Sequence, residues 1–159
     1  MTQGLVLAGA LLVGCAPSVI SLRAKPVESS SLEVLSHAAG VRDPLELHHG
    51  HVVYSGIDAP LVHSIANAML PWARTTSTAH QLIVELTAAD ARLIAGRVQV
   101  TLAVRATMRE RSGNRYVAQT QTHCQEKALF SDGNGAPAFY RCMTRIGGDL
   151  AGWAGGIKP

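Results

Sequence analysis

The sequence predicts an α+β domain: an antiparallel-rich sheet with two helices packed on one face, in the order β-α-β-β-β-α. Three observations carry this reading. From Arg97 to Arg109 apolar and polar residues alternate at every step, the two-residue period of a half-buried strand. Leu61, Val62, Ile65, Ala66, Met69 and Leu70 recur at i, i+4 and i+8, which lines one face of a helix. Aromatic residues make up only 4% of the chain, so the core has to come from Val, Leu, Ile and Ala, as in a sheet under small-residue helices.

Each element has its own signal. Val19 to Leu22 is a short β piece able to dock as an edge strand. Ser31 precedes Leu32 to Gly40, which reads as a two-turn helix with a Ser N-cap and a Gly stop. Leu45 to Tyr54 ends in β-branched residues and predicts a strand over 51–55. Asp58 then offers a carboxylate N-cap with Pro60 in the first turn, and Pro71 marks the end of that helix. Gln81 to Leu86 is a compact β run. In the strand that follows, Val98, Val100, Leu102, Val104, Ala106 and Met108 share one side. Ser112-Gly113-Asn114 is a tight hairpin turn into a strand from Tyr116 to Gln125. Ser131 to Gly135 breaks the pattern, and Pro137 opens a last helix carrying Phe139, Cys142, Met143, Ile146, Leu150 and Trp153. Its glycines, Gly147, Gly148 and Gly152, lower helix stability unless the helix packs closely through them.

A chain of 159 residues is one domain's worth. With 47% hydrophobic and 16% charged residues, it is neither a disordered chain nor a multi-span membrane protein. The formal charge of +3 is mild and does not by itself argue for nucleic acid, where clustered basic faces are expected, so no nucleic-acid partner is expected.

The amino terminus is more specific. Leu5 to Gly14 is an uncharged apolar run, about a dozen residues when counted to Ala16 and too short to cross a bilayer as a helix. It has the length of a secretory signal's apolar region, although Met1 to Gly4 lacks the usual Lys or Arg. The run closes on Leu12-Val13-Gly14-Cys15, which resembles the lipobox of bacterial lipoproteins. That resemblance implies diacylglyceryl transfer to the Cys15 sulfur, cleavage before Cys15 and acylation of the new amino terminus. It also implies the outer membrane, periplasmic face, because Ala16 rather than Asp follows the cysteine. Residues 1–14 are then a cleaved signal, residues 15–31 the lipidated Cys15 and an extended tether, and residues 32–159 a single periplasmic domain.

Of the three cysteines, Cys124 and Cys142 remain, an even number in an oxidising compartment. A bridge between them would contribute about 3 kcal/mol by constraining the unfolded chain. Two buried free thiols are the alternative. His123 cannot serve Cys124 as a base, because adjacent strand residues point to opposite faces.

Other clusters are weaker. His48-His49-Gly50-His51 lacks the converging carboxylates or thiolates of a metal site, so no metal and no cofactor is expected. Arg105, Arg109, Arg111 and Arg115 gather on one hairpin, where they could meet lipid phosphates or an acidic partner. The plainer account is a solvated strand face whose charges discourage edge pairing. No Gly-x-Ser-x-Gly elbow, phosphate loop or His-Glu-x-x-His motif occurs, so the chain is expected not to be an enzyme.

With its helix running into Leu70-Pro71-Trp72-Ala73, its strands Leu82 to Leu86 and Val98 to Leu102, and its closing helix with Trp153, the domain resembles ABC-type transport auxiliary lipoproteins. More distantly it resembles the lipopolysaccharide-assembly lipoprotein. The resemblance implies an anchored accessory that binds a protein partner or a lipid in envelope transport or assembly. Its partners would be the membrane, through the lipid, and an envelope complex containing a permease or β-barrel. A structural subunit or pilot of a secretion or motility apparatus is the alternative.

Overall fold

The computed structural model describes residues 18–24, 32–37, 45–47, 51–131 and 134–157. Its elements are β1 (Ser18–Ser21), β2 (Leu32–His37), β3 (Leu45–Glu46), β4 (Val52–Ser55), α1 (Asp58–Thr75), β5 (His80–Ile94), β6 (Arg97–Glu110), β7 (Arg115–Leu129) and α2 (Ala136–Gly155). Among the described residues they make two sheets, one of order β1-β4-β3 and one of order β2-β5-β6-β7. From residue 51 onward the order is the expected β-α-β-β-β-α, and the fold class is α+β with the helices packed against the sheet.

The core follows from the alternation in β6. Val98, Val100, Leu102, Ala106 and Met108 are wholly buried, and Val104 nearly so. Leu82, Val84 and Leu86 of β5 lie on the same side. Onto this surface α1 sets Leu61, Ile65 and Met69, and α2 sets Phe139, Cys142, Ile146 and Leu150, all fully buried. Each helix thus buries one stripe at i, i+4 and i+8 spacing.

β5 runs eight residues beyond the expected Leu86 because it carries a bulge. The register shifts between Leu86 and Ala88, and the bulged Thr87 ties its hydroxyl to the Ala103 carbonyl at 3.1 Å. A two-residue turn then joins β5 to β6, with Ala95 at φ 48° and Gly96 at φ 72°, the left-handed pair that matches hairpin twist.

Several expectations are corrected. Leu32 to Gly40 is not a helix over its described part: β2 pairs in parallel with β5, from Leu32 opposite His80 to His37 opposite Glu85. A two-turn helix forms few internal bonds, whereas the edge of β5 offers this segment a full ladder. Pro71 does not end α1, which continues to Thr75. Proline removes one backbone bond, but it does so on the exposed side, while Ala73 is buried beneath the last turn and Trp72 sets its ring 5.2 Å from His80. Tyr116 does not share a face with Cys124. A register shift places it opposite Arg109 on the outer side, while Ala118 stands opposite Met108.

The 51–55 strand does not extend the main sheet; it is the centre of the small one. The edge piece expected at Val19–Leu22 does dock. β1 pairs in parallel with β4, and Leu22 is buried, so part of the expected tether belongs to the folded domain. Among the described residues no helix is long and apolar enough to cross a membrane.

Candidate functional site

α1 and α2 lie against each other, and one position sets how closely. A Cβ added at Gly147 would come within 2.9 Å of the Ser64 carbonyl oxygen and 3.1 Å of the Ala68 Cβ. Glycine on α2 and small residues on α1 therefore allow the two backbones to touch. Beside that contact the two helices border a cleft of about 810 Å³.

α1 lines the cleft with Pro60, His63, Ser64, Asn67 and Ala68, a stripe at i, i+4 spacing next to the core-facing one. α2 contributes Tyr140, Met143 and Thr144. The third wall is Arg23-Ala24, just beyond β1, where the Arg23 backbone N–H donates to the Tyr140 hydroxyl at 3.0 Å. The described walls are mostly apolar, no carboxylate is among the described lining residues, and the Nδ1 atom of His63 is buried without a hydrogen-bond partner. This composition, an apolar cavity with a few polar groups, is that of a ligand-binding cleft.

The residues singled out from the sequence lie elsewhere. Cys15 lies outside the described residues, as do His48 and His49, while His51 is exposed. Cys124 and Cys142 are joined in a disulfide with a Cα–Cα separation of 5.4 Å, inside the range a bridge requires. Both are buried, and neighbouring His123 is exposed on the opposite face. The bond ties the second turn of α2 to β7.

Three of the four hairpin arginines face carboxylates. Arg105 pairs with Glu85 at 3.1 Å, Arg111 with Glu33 at 3.5 Å and Arg115 with Glu110 at 2.6 Å. Arg109 donates to the Asn114 side chain at 3.1 Å. The Arg115 fork grips both Glu110 oxygens and, chiefly through that hydrogen bond, holds the carboxyl below its usual range. Only Arg115 is on an edge strand; Arg105 and Arg109 sit on central β6, so guarding an edge explains one of the four. The Nε atoms of Arg105 and Arg109 remain buried and unpartnered.

Sequence reasoning missed the cleft. Its residues come from three separated segments, and His63 and Asn67 read in sequence as an ordinary polar helix face. The available signal was the pairing of two i, i+4 sets, His63 with Asn67 and Tyr140 with Thr144, on helices that also carry small residues.

No family model matches the chain, and no curated protein matches it in sequence. Solved structures do share its fold. A Xanthomonas campestris protein of the domain family DUF330 superposes with a TM-score of 0.54 at 13% identity, covering 86% of this chain and 94% of that one. A Caulobacter crescentus protein described as a candidate lipoprotein superposes with a TM-score of 0.50 at 15% identity, covering 79% and 92%. The class these likenesses define is an α+β fold built from two sheets and two covering helices. This chain has the same fold as those two bacterial proteins.

Proposed function

We propose that this chain is a lipid-anchored accessory protein of the bacterial envelope. It is held on the periplasmic face of the outer membrane through Cys15 and binds a protein partner or a lipid during envelope transport or assembly, without catalysing a reaction. The observation that carries this reading is Leu12-Val13-Gly14-Cys15 at the end of an uncharged apolar run, three residues ahead of the first strand at Ser18. Three residues of extended chain span about 10 Å. Acylated at Cys15, the domain would lie directly on the membrane surface, because β1 uses up the segment that could have been a tether.

One further observation supports it: one of the bacterial proteins sharing the fold is itself described as a candidate lipoprotein. The test is Cys15→Ala in the full chain, with membrane fractionation and metabolic labelling by an alkyne-tagged fatty acid. Loss of both the label and the membrane association is the expected result. A variant that is still labelled and still in the membrane fraction rejects the anchor.

A further inference from the structure

We infer that one end of the main sheet, formed by the β5–β6 turn and the close of β7, makes a second contact with the membrane and takes an anionic phospholipid surface. Its orientation rests on the proposed anchor at Cys15; the chemistry of the surface does not.

On the sheet face away from the helices, the last row at the turn is Ile94, Arg97 and Leu129, side by side on β5, β6 and β7. The row next to them, Leu93, Val98 and Ala128, points the other way and packs in the core. Ile94 is 47% exposed and Leu129 66%, with the exposed Arg97 between them. Two strand spacings set these two strands about 10 Å apart. The next outward row adds Arg92 and Lys127 on either side of Gln99. Arg92 is held by Asp90 at 2.7 Å, while Arg97 and Lys127 pair with no carboxylate among the described residues. Asp132, in the loop that follows, lies outside the described residues; it and Asp90 together still leave the three cations in excess. Exposed aliphatic groups set among cations suit the boundary of an anionic bilayer, where the aliphatic groups enter and the cations meet phosphate.

The anchor lies at the same end of the domain. Tyr54, opposite Ile20 of β1, reaches Gly135 at the start of α2, where an added Cβ would meet Val98 of β6. The Phe130 N–H donates to the Gly96 carbonyl, tying the close of β7 to the turn. Arg23 meets Tyr140, farther along α2, so β1 advances in the direction of α2 and Ser18 is left at the turn end. Val19, beside it, is 64% exposed. Cys15 precedes Ser18 by three residues, a reach of about 10 Å. An acyl chain on Cys15 and the turn surface would therefore meet one membrane together.

The test uses the full-length chain as purified from bacteria, with a nitrobenzoxadiazole fluorophore at Ala95→Cys in the turn or, as a control, at Gly113→Cys in the opposite hairpin turn, both exposed positions. In vesicles of phosphatidylcholine and phosphatidylglycerol at low salt, the Ala95→Cys label should be quenched by nitroxide-bearing lipid and shielded from iodide. The Gly113→Cys label should stay in water. With phosphatidylcholine alone, or at high salt, the Ala95→Cys label should return to water. Arg97→Gln should weaken the lipid contact about fivefold. Ile94→Ser/Leu129→Ser should weaken it at least as much, and neither change should lower the melting temperature, because all three side chains are exposed.

An Ala95→Cys label that stays in water on an anchored chain overturns the proposal and leaves the anchor standing. If that label is nevertheless shielded from iodide in native envelope membranes, the surface belongs to a protein partner instead. Equal contact on neutral vesicles, or contact unmoved by Arg97→Gln, overturns the anionic surface, and equal contact at Gly113→Cys overturns its location. A chain without an acyl group that still makes salt-sensitive contact with added anionic vesicles supports the surface while rejecting the anchor.

Discussion

The hydroxyl oxygen of Tyr54 accepts a hydrogen bond from the Gly135 backbone N–H at 2.9 Å, joining the small sheet to the start of α2 across 81 residues of chain. The Tyr54 ring packs on Phe139, centroids 4.6 Å apart, so the same side chain fills the core and caps a backbone donor. Gly135 is required there, because a Cβ would come within 2.6 Å of the Tyr54 hydroxyl and 2.5 Å of Val98 Cγ2. Tyr54→Phe keeps the ring and leaves the Gly135 N–H buried without a partner. The expected loss is about 1–3 kcal/mol, read by urea unfolding. A variant as stable as the parent contradicts it.

The same phenol makes stability fall at high pH. Burial pushes Tyr54 above the ordinary tyrosine value of 10.0, against the opposing pull of the Gly135 N–H. Below about pH 9 the phenol is protonated in both states and its contribution is complete. As pH rises from there towards the raised folded value, the unfolded chain loses its proton first, so unfolding is increasingly favoured. Tyr54→Phe removes this component. Between about pH 9 and 11 the parent's stability should therefore fall more steeply than the variant's. Parallel curves would place the burial effect elsewhere.

Leu102 and Thr101 are neighbours on β6 with opposite fates, one wholly buried and the other on the outer face opposite Asp90 and Gln125. Leu102→Ala should cost about 2–5 kcal/mol through lost contact and a cavity. Thr101→Ala should stay within about 0.5 kcal/mol. Denaturant midpoints of the two variants measure the difference directly.

That contrast was legible because β6 contains no irregularity, and each irregularity elsewhere hid something. After Thr87 the inward set of β5 changes parity, from Leu82, Val84 and Leu86 to Ala89, Ala91 and Leu93, so no single alternation covers the strand. The extra residue Val117 similarly moves Tyr116 to the outer face. β2 was misread because its partner lies far along the chain at His80 to Glu85, and a six-residue stretch carries too little pattern to outweigh Ser and Gly at its ends. The disulfide could be anticipated by counting cysteines. The cleft was harder to anticipate, because its walls come from three separated segments, Arg23-Ala24, α1 and α2.

Gly147 and Gly148 are adjacent on α2 and should respond oppositely to alanine. At Gly147 the added Cβ meets backbone of α1 at 2.9 Å, so Gly147→Ala has to push the helices apart and is destabilising by about 1–3 kcal/mol. At Gly148 nothing lies within 4 Å of the added Cβ. There Ala gains helix propensity, and a stabilisation approaching about 1 kcal/mol is expected. Thermal melting of the pair checks both signs. Two shifts in the same direction would mean that α1 and α2 do not meet at Gly147.

The disulfide between Cys124 and Cys142 closes a loop spanning a sequence separation of 18. Constraint of the unfolded chain by such a loop is worth about 3 kcal/mol. Cys124, on edge strand β7, stands opposite Leu102 of β6, and both Cys124 and Cys142 are buried where α2 covers the sheet. Two consequences follow from that position. Reductant reaches the bond only when α2 lifts from the sheet, so reduction of native protein should be slow and should accelerate in mild denaturant. Once reduced, the domain should melt at a lower temperature, and a Cys124→Ala/Cys142→Ala double variant should show a comparable loss plus a contribution from the space left by two sulfur atoms. Thiol titration of folded, unreduced protein, with Cys15 acylated or replaced by Ala, should find no reactive cysteine. Two thiols that alkylate readily in protein taken from an oxidising compartment would show that this bond does not form. An unchanged melting temperature after complete reduction would show instead that it forms without constraining the unfolded chain.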